Sequence, residues 1–163
     1  MRRFFVTSGL ALAMLSSGIA EERKEVVVQP ANASLRWESD GCAGESLAVV
    51  SGCPFQQGAP FVLRLRMEKG LFVPSHSHPI DENITVLRGR LTLRILKENS
   101  PITVVLLRQG DFFRIPAYAF HLAEAVEETE IQTNGIGPLV TTWMKDHCKP
   151  AVAAAPRSVD CKP

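Results

Sequence analysis

Gly70-Leu-Phe-Val-Pro-Ser-His76-Ser-His78-Pro-Ile-Asp-Glu82-Asn-Ile-Thr-Val-Leu-Arg-Gly89 sets two histidines and a carboxylate at metal-ligand spacing between two glycines. Successive side chains of a β-strand point to opposite faces, so His76 and His78 share one face and both imidazoles can reach a single ion. Pro79 lacks an amide donor and cannot continue a central strand. Pro79-Ile80-Asp81 therefore predicts a turn, followed by an antiparallel return strand that carries Glu82 back beside the histidines. Gly110-Asp-Phe-Phe-Arg-Ile-Pro116-Ala-Tyr118-Ala-Phe-His121 adds a third histidine behind a Gly turn, a short apolar strand and a Pro turn.

Outward from these two units, runs rich in β-branched and apolar residues recur at short intervals. They are Glu25 to Gln29, Ser46 to Ser51, Pro60 to Met67, Asn83 to Arg88, Arg90 to Lys97, Ile102 to Arg108, Thr129 to Asn134 and Leu139 to Met144. Such spacing, with Gly or Pro between many of the runs, is that of a β-sandwich or barrel. Alternation at the start of Arg90 to Lys97 predicts Leu91, Leu93 and Ile95 facing inward and Arg90, Thr92 and Arg94 facing water. In Pro60 to Met67 the same rule places the apolar residues Phe61, Leu63, Leu65 and Met67 inside and Arg64 and Arg66 outside; an inward Arg64 would bind a carboxylate. Trp37, Phe113 and Trp143 read as core. Leu122 to Glu130 dissents, having the composition of a helix.

Both histidine-bearing segments resemble the motifs of the cupin superfamily. Gly70, His76, His78, Glu82 and Gly89 match every fixed position of the first motif, and Gly110, Pro116 and His121 match the second. Tyr118 stands where the second motif has its second glycine, and Ala125 where it has asparagine, so the turn before His121 and the contacts around that histidine depart from the pattern. The resemblance covers roughly Ser46 to Met144. Asp81 to Leu87 and Ile131 to Pro138 look like a branch of small, single-domain, exported bacterial cupins. It implies an all-β fold, a double-stranded β-helix or jelly-roll barrel, in which Leu122 to Glu130 forms strand, turn and strand against its local propensity. It also implies His76, His78, Glu82 and His121 as metal ligands.

Three imidazoles and one carboxylate fill four positions of an octahedral ion and leave two open. That suits one divalent transition metal, Fe or Mn foremost, with Zn, Ni and Cu compatible. A structural zinc site is more often closed and rich in thiolate. Open positions accept water, dioxygen or a small-molecule ligand, which points to dioxygenase-like or isomerase-like chemistry, or to a barrel that binds a small ligand or metal without turnover. Tyr118, beside the His121 turn, is the candidate acid/base or hydrogen-bond donor, with plain packing as its other reading. Asp81 and Asn83 read as turn residues.

The chain has 163 residues, and its ends carry separate signals. Arg2-Arg3, an apolar stretch from Phe4, and Gly18-Ile19-Ala20 before Glu21-Glu22-Arg23-Lys24 predict a signal peptide over 1–20 and an exported, periplasmic or secreted protein. A barrel domain is expected over 21–148 and a Pro/Ala-rich tail over 149–163. Loss of Arg2 and Arg3 would take the formal charge from +1 to about −1, which leaves no basic surface for nucleic acid or membrane. Four cysteines in an exported chain predict full pairing, most simply Cys42 with Cys53 and Cys148 with Cys161. Residues Glu25 to Gln29 could add as a strand to a neighbouring copy, giving a homodimer.

Overall fold

The computed structural model describes residues 35–39, 44–96 and 102–144. The expected signal peptide, the strand Glu25 to Gln29, Cys42, His147, Cys148, Cys161 and the Pro/Ala-rich tail lie outside these residues. Among those described, the elements are all strands: β1 (Glu38–Ser39), β2 (Glu45–Gly52), β3 (Pro60–Met67), β4 (Phe72–Ser77), β5 (Glu82–Arg88), β6 (Arg90–Ile95), β7 (Thr103–Arg108), β8 (Phe112–Ile115), β9 (His121–Ala125), β10 (Thr129–Ile136) and β11 (Thr142–Trp143). They form two antiparallel sheets, ordered β1-β2-β3-β10-β5-β8 and β11-β4-β9-β6-β7. This is the jelly-roll arrangement of a cupin barrel, and the helix-like composition of Leu122 to Glu130 is overridden as expected. Its alternate residues Ala123 and Ala125 are buried against Leu93 and Leu91 of β6, a burial that an isolated helix would not provide.

Between the sheets, Met67, Val73, Ile84, Val86, Leu91, Leu93, Leu107, Ile115, Ala123, Ala125 and Ile131 form the main core, with Phe113 and Trp143 packed against it. Full burial of Leu91 or Val86 contributes about 1.5–3 kcal/mol each. Alternation decides the faces as expected. Phe61, Leu63 and Met67 are buried on β3, while the Arg64 and Arg66 side chains lie on the outer face with Gln132 and Glu130. Trp37 is not part of this core; it is half-buried beneath the guanidinium of Arg66, 3.8 Å from the ring centroid. A planar cation on an aromatic face keeps the ring at the surface without exposing it fully.

The expected pairing of the two strands around Pro79 also fails. Strands β4 and β5 are not hairpin partners: β4 pairs with β9 and β11, β5 with β10 and β8. The chain crosses from one sheet to the other at Pro79-Ile80-Asp81, so Glu82 faces the histidines across the barrel. Pro79 blocks strand continuation, but a proline turn alone does not decide whether the return strand joins the same sheet. Likewise Leu139 to Met144 contains only the short strand β11, because a tight turn from Val140 N–H to Pro138 O (3.1 Å) occupies its start.

The glycines that bracket the first motif have unequal demands. Both Gly70 (φ +82°) and Gly89 (φ +83°) are left-handed, but a Cβ at Gly89 would sit 2.2 Å from Glu128 O whereas one at Gly70 meets nothing within 4 Å. Gly70→Ala is expected to cost about 1 kcal/mol from backbone conformation alone. Gly89→Ala is expected to cost roughly 3 kcal/mol, since the β5–β6 turn must also move off β10. Urea unfolding of the two variants checks the order, and equal costs would refute this account.

Candidate metal centre

His76 lies on β4 directly opposite His121 on β9, and their ring centroids are 4.2 Å apart. His78, two residues on and on the same face, brings its ring to 5.0 Å from His76 and 5.7 Å from His121. One nitrogen from each ring lies within 4.8 Å of the others, forming a buried three-histidine group that could hold a metal ion. Glu82 Oε2 reaches in from the other sheet, 3.5 Å from His78 Nε2 and 3.4 Å from His121 Nε2. All four side chains are buried. The predicted residues are therefore together, with the histidines on one sheet and the carboxylate on the other.

Backbone carbonyls orient the rings. His76 Nδ1–H donates to Pro74 O (2.7 Å), His121 Nδ1–H to Ala119 O (2.9 Å) and His78 Nδ1–H to Val140 O (3.0 Å). A carbonyl only accepts, so Nδ1 carries the hydrogen in each ring and Nε2 of the neutral imidazole carries the lone pair. His76 and His121 use the same local device, a carbonyl two residues earlier. Pro74 sits where the β4–β9 pairing shifts register between Val73 and His76, which accommodates a residue without an amide donor. The acceptor for His78 comes from 62 residues away, and Trp143 packs on His76 with centroids 5.0 Å apart. Neither role carried a signal in the sequence beyond the reading of Trp143 as core.

These contacts give the site its electrostatics. Glu82 Oε2 is buried without a hydrogen-bond partner, and its two neighbours present lone pairs. Burial pushes the Glu82 carboxyl up to about 7. Burial, with His76 adding repulsion, pushes His78 down to about 4 and His121 down to about 3. At neutral pH both of these imidazoles are neutral, the form in which histidine ligates a metal.

The turns that carry the two motifs are fastened together. Tyr118 N–H donates to His78 O (2.7 Å), Ala117 N–H to Asp81 Oδ1 (2.8 Å), and Arg114 pairs with Asp81 Oδ2 (3.2 Å). Asp81 is thus a latch between turns. Asn83 donates its side-chain amide to Asn134 O (3.4 Å) on the outer face of the sheet. Tyr118 adopts φ +63° with its side chain 71% exposed, so the motif turn keeps a left-handed conformation without the glycine. A tyrosine there costs about 1 kcal/mol in backbone energy. Glycine would relieve this but add roughly 0.5 kcal/mol of unfolded-state entropy. Tyr118→Gly is accordingly expected to raise stability by about 0.5 kcal/mol, read from the thermal midpoint. A loss above about 1 kcal/mol would show packing by the phenol that its exposure argues against.

Comparison with known proteins bears on the fold. The model of the cupin domain family matches residues 63–133. Among solved structures, Bacillus subtilis oxalate decarboxylase at pH 4.6 is similar at TM-score 0.57 and 16% identity over 68% of this chain. Another structure of that enzyme, described for its Mn(II) centres, is similar at TM-score 0.57 and 17% identity, again over 68% of this chain. This chain spans 30% of the length of oxalate decarboxylase. KdgF from Halomonas sp. is similar at TM-score 0.48 and 21% identity, over 61% of this chain and 86% of its own. Among curated proteins, no sequence gives a significant match. Both motifs lie in register on a two-sheet barrel and the cupin domain model spans them, so residues 63–133 match the cupin domain and the chain has the cupin fold.

Proposed function

We propose that this cupin binds one divalent transition metal, Mn or Fe foremost, through His76, His78, His121 and Glu82, and uses it to bind and transform a small molecule. The observation that carries the reading is the buried Glu82 Oε2, orphaned between two imidazole lone pairs. Three lone pairs so close repel one another, and a cation between them removes that repulsion. With metal–ligand bonds of about 2.1 Å, neighbouring donors lie about 3.0–3.4 Å apart, close to the 3.5 Å and 3.4 Å that separate Glu82 Oε2 from His78 Nε2 and His121 Nε2. A bound metal would supply Lewis acidity or one-electron chemistry at its two remaining positions.

The chain's own groups supply orientation and charge. The carbonyls of Pro74, Ala119 and Val140 hold the rings and strengthen them as donors. Three neutral imidazoles and one carboxylate leave a divalent ion with one net positive charge, which favours a small anionic, oxygen-donor ligand. The fold shared with oxalate decarboxylase supports a small acid as the class to try first. Basic, apolar and small residues in succession over 1–20 support export, and an exported location supports oxidised cysteine pairs, Cys42 with Cys53 and Cys148 with Cys161.

Elemental analysis of protein purified without chelator or metal-affinity tag tests the reading. About one equivalent of manganese or iron is expected. Absence of metal after reconstitution with Mn(II), Fe(II) and Zn(II) would refute it. Oxygen uptake and product analysis with small carboxylic acids and diketones then separate turnover from binding alone, and N-terminal sequencing of the exported protein tests cleavage after Ala20.

A further inference from the structure

Among the described residues, three side-chain atoms are buried without a hydrogen-bond partner: Ser75 Oγ, Glu82 Oε2 and Thr133 Oγ1. Ser75 is the neighbour of His76 in β4, so the strand turns its side chain to the other face of the sheet. Thr133 is on the inner face. It stands opposite Leu63 of β3 and Ile84 of β5, both core residues, and is 1% exposed. Burying a hydroxyl without a partner is destabilising, and elsewhere this fold avoids it. Thr129, on the same strand and fully buried, donates its hydroxyl to Glu127 O (2.8 Å), with Arg90 O at 2.9 Å.

Strand register limits what the Thr133 hydroxyl can meet. On its face the directly opposite residues are Leu63 and Ile84, and the diagonal ones are Phe61 and Leu65 on β3 and Val86 and Glu82 on β5. Five of these six are apolar. Glu82 is the polar one, and it carries the other orphaned atom inside the barrel. Diagonal neighbours on one face stand about 7 Å apart, a gap that a long side chain such as glutamate spans. Continuing the register sets Gly135 opposite Glu82, so Thr133 is the β10 side chain beside the carboxylate.

We propose that Thr133 is a positioning residue of the metal centre, a role that rests on metal binding by His76, His78, Glu82 and His121: its hydroxyl donates to the Glu82 carboxylate and holds it toward the histidines. A carboxylate that gives one lone pair to a cation keeps others free, and ligating carboxylates are themselves hydrogen-bonded. A hydroxyl bonded to an ionised oxygen makes one of the stronger hydrogen bonds. Threonine is also stiff at its first side-chain torsion, so the donor is aimed in advance. One bound cation thereby satisfies both atoms: the ion takes a lone pair of Glu82 Oε2, and Thr133 Oγ1 finds an acceptor on the same carboxylate.

Competition titration of Mn(II) and Zn(II) against a chelator of known affinity tests this on the whole protein, comparing wild type with Thr133→Val and Thr133→Ser. Valine keeps the shape and removes the hydroxyl, and is expected to weaken both metals on the order of tenfold. Serine keeps the hydroxyl and is expected to stay within about threefold of wild type. In excess chelator, Thr133→Val is expected to melt a few degrees above wild type, because it deletes a hydroxyl that nothing satisfies. A metal-free Thr133→Val that is less stable than wild type would show a hydroxyl with a structural partner, and overturns the proposal. Equal weakening by valine and serine also overturns it, since packing would then be the cause. Wild-type protein that binds no metal removes this role together with the metal site. Equally tight binding by wild type and Thr133→Val overturns the role of Thr133 alone and leaves the metal site standing.

Discussion

Replacing His121 with alanine is expected to reduce metal in the purified protein from about one equivalent to below a tenth, a loss of affinity on the order of 10²–10³. The magnitude follows from geometry. His121 sits opposite His76 in the β4–β9 register and 3.4 Å from Glu82 Oε2, so it joins the histidine pair of one sheet to the carboxylate of the other. Removing it leaves two histidines and a carboxylate that no longer surround one point, and the cavity admits water in place of a fixed donor. Elemental analysis and a competition titration against a chelator of known affinity measure the loss. Thermal unfolding in excess chelator is the control, because the variant and metal-free wild type should then melt within a few degrees of one another. Full metal occupancy in His121→Ala would mean that the ion binds elsewhere and that the proposed ligand set is wrong.

Metal affinity is also expected to fall as the solution becomes more acidic, by roughly tenfold per pH unit below 7 and by about thirtyfold between pH 8 and pH 5.5. Glu82 decides the window. Its carboxyl is raised to about 7 by burial, so in metal-free protein it is mostly ionised at pH 8 and mostly protonated at pH 5.5. A proton on Glu82 must leave before the oxygen can ligate, so proton and metal compete and acid weakens binding. His78 and His121, at about 4 and about 3, remain neutral through this range and add no competition until pH falls below about 5. Calorimetry in buffers of different ionisation enthalpy should detect more protons released per metal at pH 6 than at pH 8.5. In Glu82→Gln, which binds more weakly but has no carboxyl to titrate, the slope between pH 5.5 and 8 should flatten. An unchanged slope in that variant would assign the titration to another group.

The shared face of the candidate ligands His76 and His78 was legible because it is local. His76 and His78 need only the alternation of a strand to share a face, and Gly89, where a side chain would strike Glu128 O, marks a turn that admits no substitute without movement. The inward faces of β3 and β6 were legible for the same reason, since a period of two forces apolar residues to one side. Local reasoning failed where the outcome depends on which surface a segment meets. Trp37 is large and apolar, yet it lies beneath Arg66, a cation 29 positions away. Glu82 does reach the histidines, but across the barrel and not along a hairpin.

The sequence by itself determined that this chain is a β-protein with three histidines and a glutamate spaced for one metal, because strand periodicity and turn chemistry are short-range properties written into neighbouring residues. Tertiary structure alone decided which sheet receives each strand, that Val140 O orients His78 and that Trp143 covers His76. It also decided that Glu82 is buried without a partner and its carboxyl pushed up. Those features arise from pairing and desolvation between residues far apart in the chain, which spacing along one segment does not encode.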